Sequence, residues 1–279
     1  SLQGVMGYYY ARESGETEEV ALAIREHYLP SAADDPAPET APGLAVGIAD
    51  RLDSLLGLFA AGLAPTGSKD PFALRRAALG LVGNLISWDQ DFDLAAAVQA
   101  AQKELPIPAG DDVYQECLEF IRDRLQNYLK EQGSRHDVVD TVVQAQGFNP
   151  AGAKRAVNAL ENWITRDDWE LILDSYARCV RITRDLEQEL KITENVFQEN
   201  QEKDLYQALQ TARNSQRKEG DVDAFFEAFT PLIPVITAFF DNVLVMADDP
   251  QVKNNRLALL QGVAQLADGV LDLSRMEGF

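Results

Sequence analysis

Residues 113–133 read VYQECLEFIRDRLQNYLKEQG, and their spacing decides the fold class. Val113, Cys117, Phe120, Ile121, Leu125, Tyr128 and Leu129 recur at steps of three and four, which gathers them on one face of an α-helix. Gly133 is the expected stop, because glycine takes the left-handed backbone of a helix end without steric cost.

The same period continues outward. Val138, Val139, Val142 and Val143 mark a shorter helix ended by Gly147. Asn149-Pro150 starts another that runs to about Thr165, since asparagine caps free N–H groups and proline fits the first helical position. Asp167 or Asp168 starts a long helix expected over 169–190, through Trp169, Ile172, Tyr176, Val180 and Leu190. Strand-like alternation is missing, so the fold reads as all-α. PSAADDPAPETAP at 30–42 predicts an exposed loop and PIPAGDD at 106–112 a boundary between units. The Gln-, Asn- and charge-rich stretch 197–219 predicts a solvated helix pair or a mobile arm.

With 279 residues the chain has room for one to three domains. It opens SLQGVMGYYYAR without an initiator Met, and is expected to be part of a longer protein. The most apolar runs, around 52–64 and 232–247, are broken by Asp53, Pro234 and Asp241, so no membrane segment is read and the chain reads as soluble. Cys117 and Cys179 lie far apart among apolar neighbours, with neither metal-ligand spacing nor a disulfide framework, which suits a reducing cytoplasm. Net charge is −20, with 7 basic and 15 acidic groups in residues 1–110 and 18 and 30 in residues 111–279. Broad nucleic-acid binding is disfavoured, and any phosphate contact must be local.

PTGSKDPFALRRAA at 65–78 raises the question of a phosphate loop. Gly62 and Gly67 have the right spacing, but Ser68 and Lys69 stand in the wrong order and the preceding SLLGLFAA reads as helix, so the reading fails. Asp70 and Pro71 instead mark a helix start, with Arg75 and Arg76 one turn in. His136-Asp137, with His27 and Asp50, invites a metal site, yet Ser134 or Asp137 serves well as a helix cap and no metal is assigned. One basic row stands out: Arg178, Arg181 and Arg184 at steps of three, extended by Lys191. Guanidiniums so placed either position phosphates and bases or pair with Asp174, Asp185 or Glu187.

Four blocks carry a resemblance. LQGVMGYYYA (2–11), GIADRLDSLLGLFAAGLAPTGSKDPFALRRAALG (47–80), FIRDRLQNYLKEQGSRHDVVD (120–140) and FFDNVLVMADDPQVKNNRLALL (239–260) resemble, in order and spacing, the bacterial glycyl-tRNA synthetase β subunit family. The resemblance implies an HD-like helical portion over 1–88, a connecting helical region over 89–169 and an α-helical anticodon-binding bundle over 170–279. Asp50 matches the last metal ligand of the ADRL-type helix in HD domains, while the preceding His and His-Asp ligands are missing. A C-terminal tRNA-recognition region of a class II glycine–tRNA ligase is implied, with tRNA(Gly), the α part and the rest of the β chain as partners. ATP and Mg would be used by the catalytic part elsewhere, and no catalytic residue is expected in this chain. The resemblance also directs attention to Lys253, Asn254 and Asn255, read as the first turn of a helix after Pro250 where side chains and free N–H groups meet bases or phosphates, with Asn255 and Arg256 near the recognised anticodon bases. The alternative there is a capped turn with Arg256 paired to Asp248 or Asp249. Two other functions compete: an acidic helical scaffold that binds only protein, and an HD-type phosphohydrolase.

Overall fold

The computed structural model describes residues 2–32, 35–215 and 217–279. Ala33 and Asp34 of the expected loop at 30–42, and Gln216 of the polar stretch at 197–219, lie outside the described residues. Among those described there is no β-strand, and helices account for the architecture as the periodicity requires. The chain forms two compact units, Ser1–Gly133 with Gly147–Lys154, and Ser134–Gln146 with Arg155–Phe279.

The first unit contains α1 (Val5–Glu13), α2 (Glu18–Glu26), α3 (Ala41–Ala60), α4 (Leu74–Ser87), α5 (Leu94–Glu104) and α6 (Asp111–Glu131). α3 is central and packs on α2, α4, α5 and α6. Thr40 caps it through Gly43 N–H at 3.1 Å, and Leu44, Ile48, Leu52, Leu55, Leu56 and Phe59 are buried along its length. α6 follows the opening pattern, burying Cys117, Ile121, Leu125 and Leu129, and Gly133 takes φ 92° just beyond it. The stretch 106–112 does not separate units but links α5 to α6 inside this one, where Gln102 Nε2 donates to Ala109 O at 2.8 Å.

Arg51 is buried in this unit and was not singled out by its sequence. Its guanidinium donates to the carbonyls of His27 at 2.8 Å, Gly47 at 2.9 Å, Tyr28 at 3.3 Å and Leu29 at 2.7 Å. Burial holds its pKa below the ordinary arginine value. Gly47 and Gly80 make room for it: a Cβ on either would stand 3.0 Å from a guanidinium nitrogen.

The second unit contains α7 (His136–Gln146), most of α8 (Pro150–Trp163), α9 (Trp169–Thr183), α10 (Asn200–Arg213), α11 (Val222–Phe229), α12 (Ile233–Asn242) and α13 (Pro250–Ala264). α9 packs along α13, and α10 packs on α12 and α13. The run Val222–Asn242 is long and apolar enough to cross a membrane by length and composition. Here a short 3-10 turn at Thr230–Leu232 divides it, and Phe225, Phe226, Phe229 and Phe239 are fully buried as core. α7 is tied to the end of the chain: Asp272 N–H donates to Thr141 O at 3.0 Å, and Gln146 Nε2 donates to Gly220 O at 3.0 Å and Val270 O at 2.8 Å.

Two expectations need correction in this unit. The helix expected over 169–190 ends at Thr183, with Arg184 as its C-cap. The stretch 197–219 is neither a helix pair nor a mobile arm: it forms α10, which buries Glu202, Leu205, Leu209 and Ala212 at steps of three and four. The two thiols are enclosed, and burial pushes Cys117 and Cys179 up to about 12.

Candidate nucleic-acid interface

The sequence-derived site residues fall on α9, on α13 and on the irregular segment between α9 and α10. Arg178 is half-buried, its guanidinium 4.3 Å from the centroid of Phe240 on α12. Arg181 is exposed, 5.5 Å from the Phe279 ring and 3.8 Å from Asp174. Arg184 is exposed, 3.7 Å from Asp185. The pairing alternative is thus realised for two of the three. Such exposed pairs contribute only about 0–1 kcal/mol and yield readily to a phosphate. The row itself is not continuous, because Arg178 reaches for α12 while Arg181 reaches for the chain end.

Lys191 does not extend the row. It lies on a strap over 184–199 that α13 and α10 hold through side chains. Leu190 N–H donates to Gln261 Oε1 at 2.8 Å, and Gln261 Nε2 returns a bond to Gln188 O at 3.2 Å. Thr193 N–H donates to Asn255 Oδ1 at 2.7 Å. Gln198 and Glu199 N–H groups donate to Glu202 Oε2 at 2.8 and 2.7 Å. The backbone on either side of Lys191 is therefore held by α13 and does not continue α9.

The first-turn expectation at α13 is also corrected. Asp249 caps the helix through Gln251 N–H at 2.8 Å, and Lys253 N–H is already bonded to Asp249 O at 2.9 Å. The free N–H groups thus lie before Lys253. Asn254 is exposed and Lys253 half-buried, but Asn255 and Arg256 are only 3% and 5% exposed. Arg256 pairs with Glu202, Nε to Oε1 at 3.0 Å, and donates to Leu244 O at 2.9 Å. It faces neither Asp248 nor Asp249, because a buried guanidinium needs a buried acceptor. Burial would raise the Glu202 carboxyl, yet Arg256 and the two backbone N–H groups hold it below its usual value. Asn255 Nδ2 is buried without a partner among the described residues. Both side chains act inside the unit, tying α13 to the strap and to α10.

Glu202 and Gln261 were missed by sequence reasoning. Only Glu202 left a local signal, the Glu199-x-x-Glu202 spacing of a capping box, which the structure forms. Among the described residues no three His, Cys, Asp or Glu side chains gather as a metal set, and Asp50 and Asp53 are exposed.

Residues 172–274, which hold most of α9 and all of α10 to α13, match the DALR anticodon binding domain. Residues 1–144 match the glycyl-tRNA synthetase beta subunit model, more than half of the chain, and the chain belongs to that family. It is 39% identical over 285 residues to the glycine–tRNA ligase beta subunit of Moorella thermoacetica, covering 99% of this chain and 41% of that one. With the beta subunit of Lactobacillus acidophilus the identity is 38% over 283 residues, covering 99% and 40%. With glycine–tRNA ligase, chloroplastic/mitochondrial 2, of Arabidopsis thaliana it is 34% over 281 residues, covering 100% and 26%. The chain thus spans well under half the length of these curated relatives.

Proposed function

We propose that this chain is the tRNA-recognition region of a glycine–tRNA ligase, acting in the cytoplasm. In this reading the bundle over 170–279 binds tRNA(Gly) near its anticodon, residues 1–88 are the later portion of an HD-like domain, and 89–169 connect them. Glycylation, with its ATP and Mg, belongs to the α part and the rest of the β chain, which are the protein partners. The observation that carries the reading is the anticodon-binding match, which coincides with α9 to α13. Arg178, Arg181, Arg184, Lys191, Lys253 and Asn254 are the contacts proposed, and Asn255 and Arg256 support them from within.

Binding of a tRNA(Gly) transcript to the chain, followed by gel shift across salt concentrations, tests this. Each phosphate contact contributes a slope of about 0.7 to 0.9 in log affinity against log salt, so Arg181→Ala/Arg184→Ala/Lys191→Ala should flatten it by about two. A scaffold that binds only protein shows no salt-dependent shift. Unchanged affinity and slope in the triple variant would reduce those residues to surface pairing.

A further inference from the structure

The PTGSKDPF segment has no part in the function argued above, yet it is built with care. Thr66 and Lys69 exchange backbone hydrogen bonds, Thr66 N–H to Lys69 O at 3.1 Å and Lys69 N–H to Thr66 O at 2.9 Å. Gly67 supplies the positive φ of 54° that this closure needs. Arg75 Nη2 donates back to Gly67 O at 2.6 Å, drawing the loop onto the first turn of α4. Asp70 accepts from Leu74 N–H at 2.8 Å and Arg75 N–H at 3.0 Å, so the helix start is capped three residues later than its sequence suggested. That carboxylate occupies the place where a phosphate would sit, which disposes of any backbone cradle for a nucleotide.

The hydrogen-bonded loop displays three exposed side chains close together in sequence. Phe72 is 49% exposed and makes no ring contact among the described residues. Lys69 and Arg76 are exposed, and neither makes a side-chain hydrogen bond or ion pair among the described residues. Arg76 differs in this from Arg12, Arg135, Arg166, Arg181, Arg184 and Arg275, each of which lies within reach of a carboxylate. In a chain with 45 acidic and 25 basic residues, two unpaired cations that flank a bare ring in sequence, all within eight positions, suit an anionic, flat ligand. An apolar protein partner would leave the cations idle, and a duplex backbone would leave the ring idle.

We propose that this loop of the first unit is a docking point for unpaired nucleotides of an RNA: Phe72 stacks on a base, and Lys69 and Arg76 contact its flanking phosphates. Unstacked bases on an aromatic face beside basic groups are the common mode of single-strand recognition. Because the loop is fixed before binding, little ordering cost is paid. The proposal rests on the tRNA reading and adds a contact outside the anticodon-binding bundle.

The test is binding of a tRNA(Gly) transcript to the 279-residue chain by gel shift at several salt concentrations. Phe72→Ala and Phe72→Leu should both weaken binding about tenfold with the salt slope unchanged, and Phe72→Trp should restore it. Lys69→Ala/Arg76→Ala should lower the slope by about 1.4, two single-strand phosphate contacts. These side chains are exposed, so unchanged thermal unfolding verifies that the variants fold. If these variants bind like the unaltered chain while Arg181→Ala/Arg184→Ala/Lys191→Ala weakens binding, the loop is not an RNA contact and the tRNA reading stands. Wild-type binding by Phe72→Leu but not Phe72→Ala means the ring meets apolar surface and overturns the stacking role. Absence of any tRNA binding by the unaltered chain overturns both readings.

Discussion

Arg256→Met removes one member of a buried ion pair and leaves the fully buried Glu202 carboxylate with only the Gln198 and Glu199 N–H groups. Breaking such a pair costs about 3–5 kcal/mol, because a charge remains out of water without its partner. Leu244 O loses its donor as well. At about 2–4 °C per kcal/mol for a unit of this size, melting of the second unit should fall by about 6–20 °C. Arg256→Met/Glu202→Leu removes both charges and should recover a large part of that loss, a strongly non-additive double-mutant cycle. Hydrogen exchange reads the same event locally, since Gln198 and Glu199 N–H groups should lose protection once Glu202 is gone. The pH dependence follows from the sign of the shift. The folded carboxyl titrates below its ordinary value, so its contribution is complete above the unfolded-state value and fades as pH falls through the folded one. The stability gap between wild type and Arg256→Met should therefore narrow in acid. Melting of Arg256→Met within about 1 °C of wild type, or additive single variants, would refute the argument.

Both thiols are enclosed with values near 12, so neither Cys117 nor Cys179 should react with an alkylating reagent at pH 8 in the native chain, and both should react in denaturant. Labelling of either under native conditions would contradict their burial. Gly80→Ala should cost about 1–3 kcal/mol in chemical denaturation, because the new methyl group would crowd Arg51 Nε at 3.0 Å. An unaffected midpoint would mean that the guanidinium shifts without losing its carbonyls.

The fold was legible wherever its cause was local. The steps of three and four in α6, the Gly133 stop and the Asn149 cap, whose Oδ1 accepts from Gly152 N–H at 3.2 Å, are written in neighbouring residues. The end of α9 was not, because Leu190 continues the apolar period while the chain there is held by Gln261, 71 residues away. Asn255 and Arg256 look like surface residues in any local window. What buries Arg256 is Glu202, 54 positions distant, and no spacing rule reaches that far. The α4 start shifted for a smaller reason: Ala73 takes φ 57°, so Asp70 caps across an extra turn. The family was legible because its blocks are long and specific, whereas the charge balance alone argued against an RNA partner.

The attachment of α7 to residues 220, 270 and 272 bears on how the molecule is made. Thr141 leaves the ribosome 131 residues before Asp272, the donor to its carbonyl. At translation speeds of about 5–20 residues per second, α7 waits roughly 7–26 s for that partner. During that interval the apolar face of Val138, Val139, Val142 and Val143 has no native cover from the end of the chain, while the contacts of the first unit accumulate on either side of it in sequence. In a nascent chain the second unit therefore stays unfinished until residues 270–272 have emerged to bond α7.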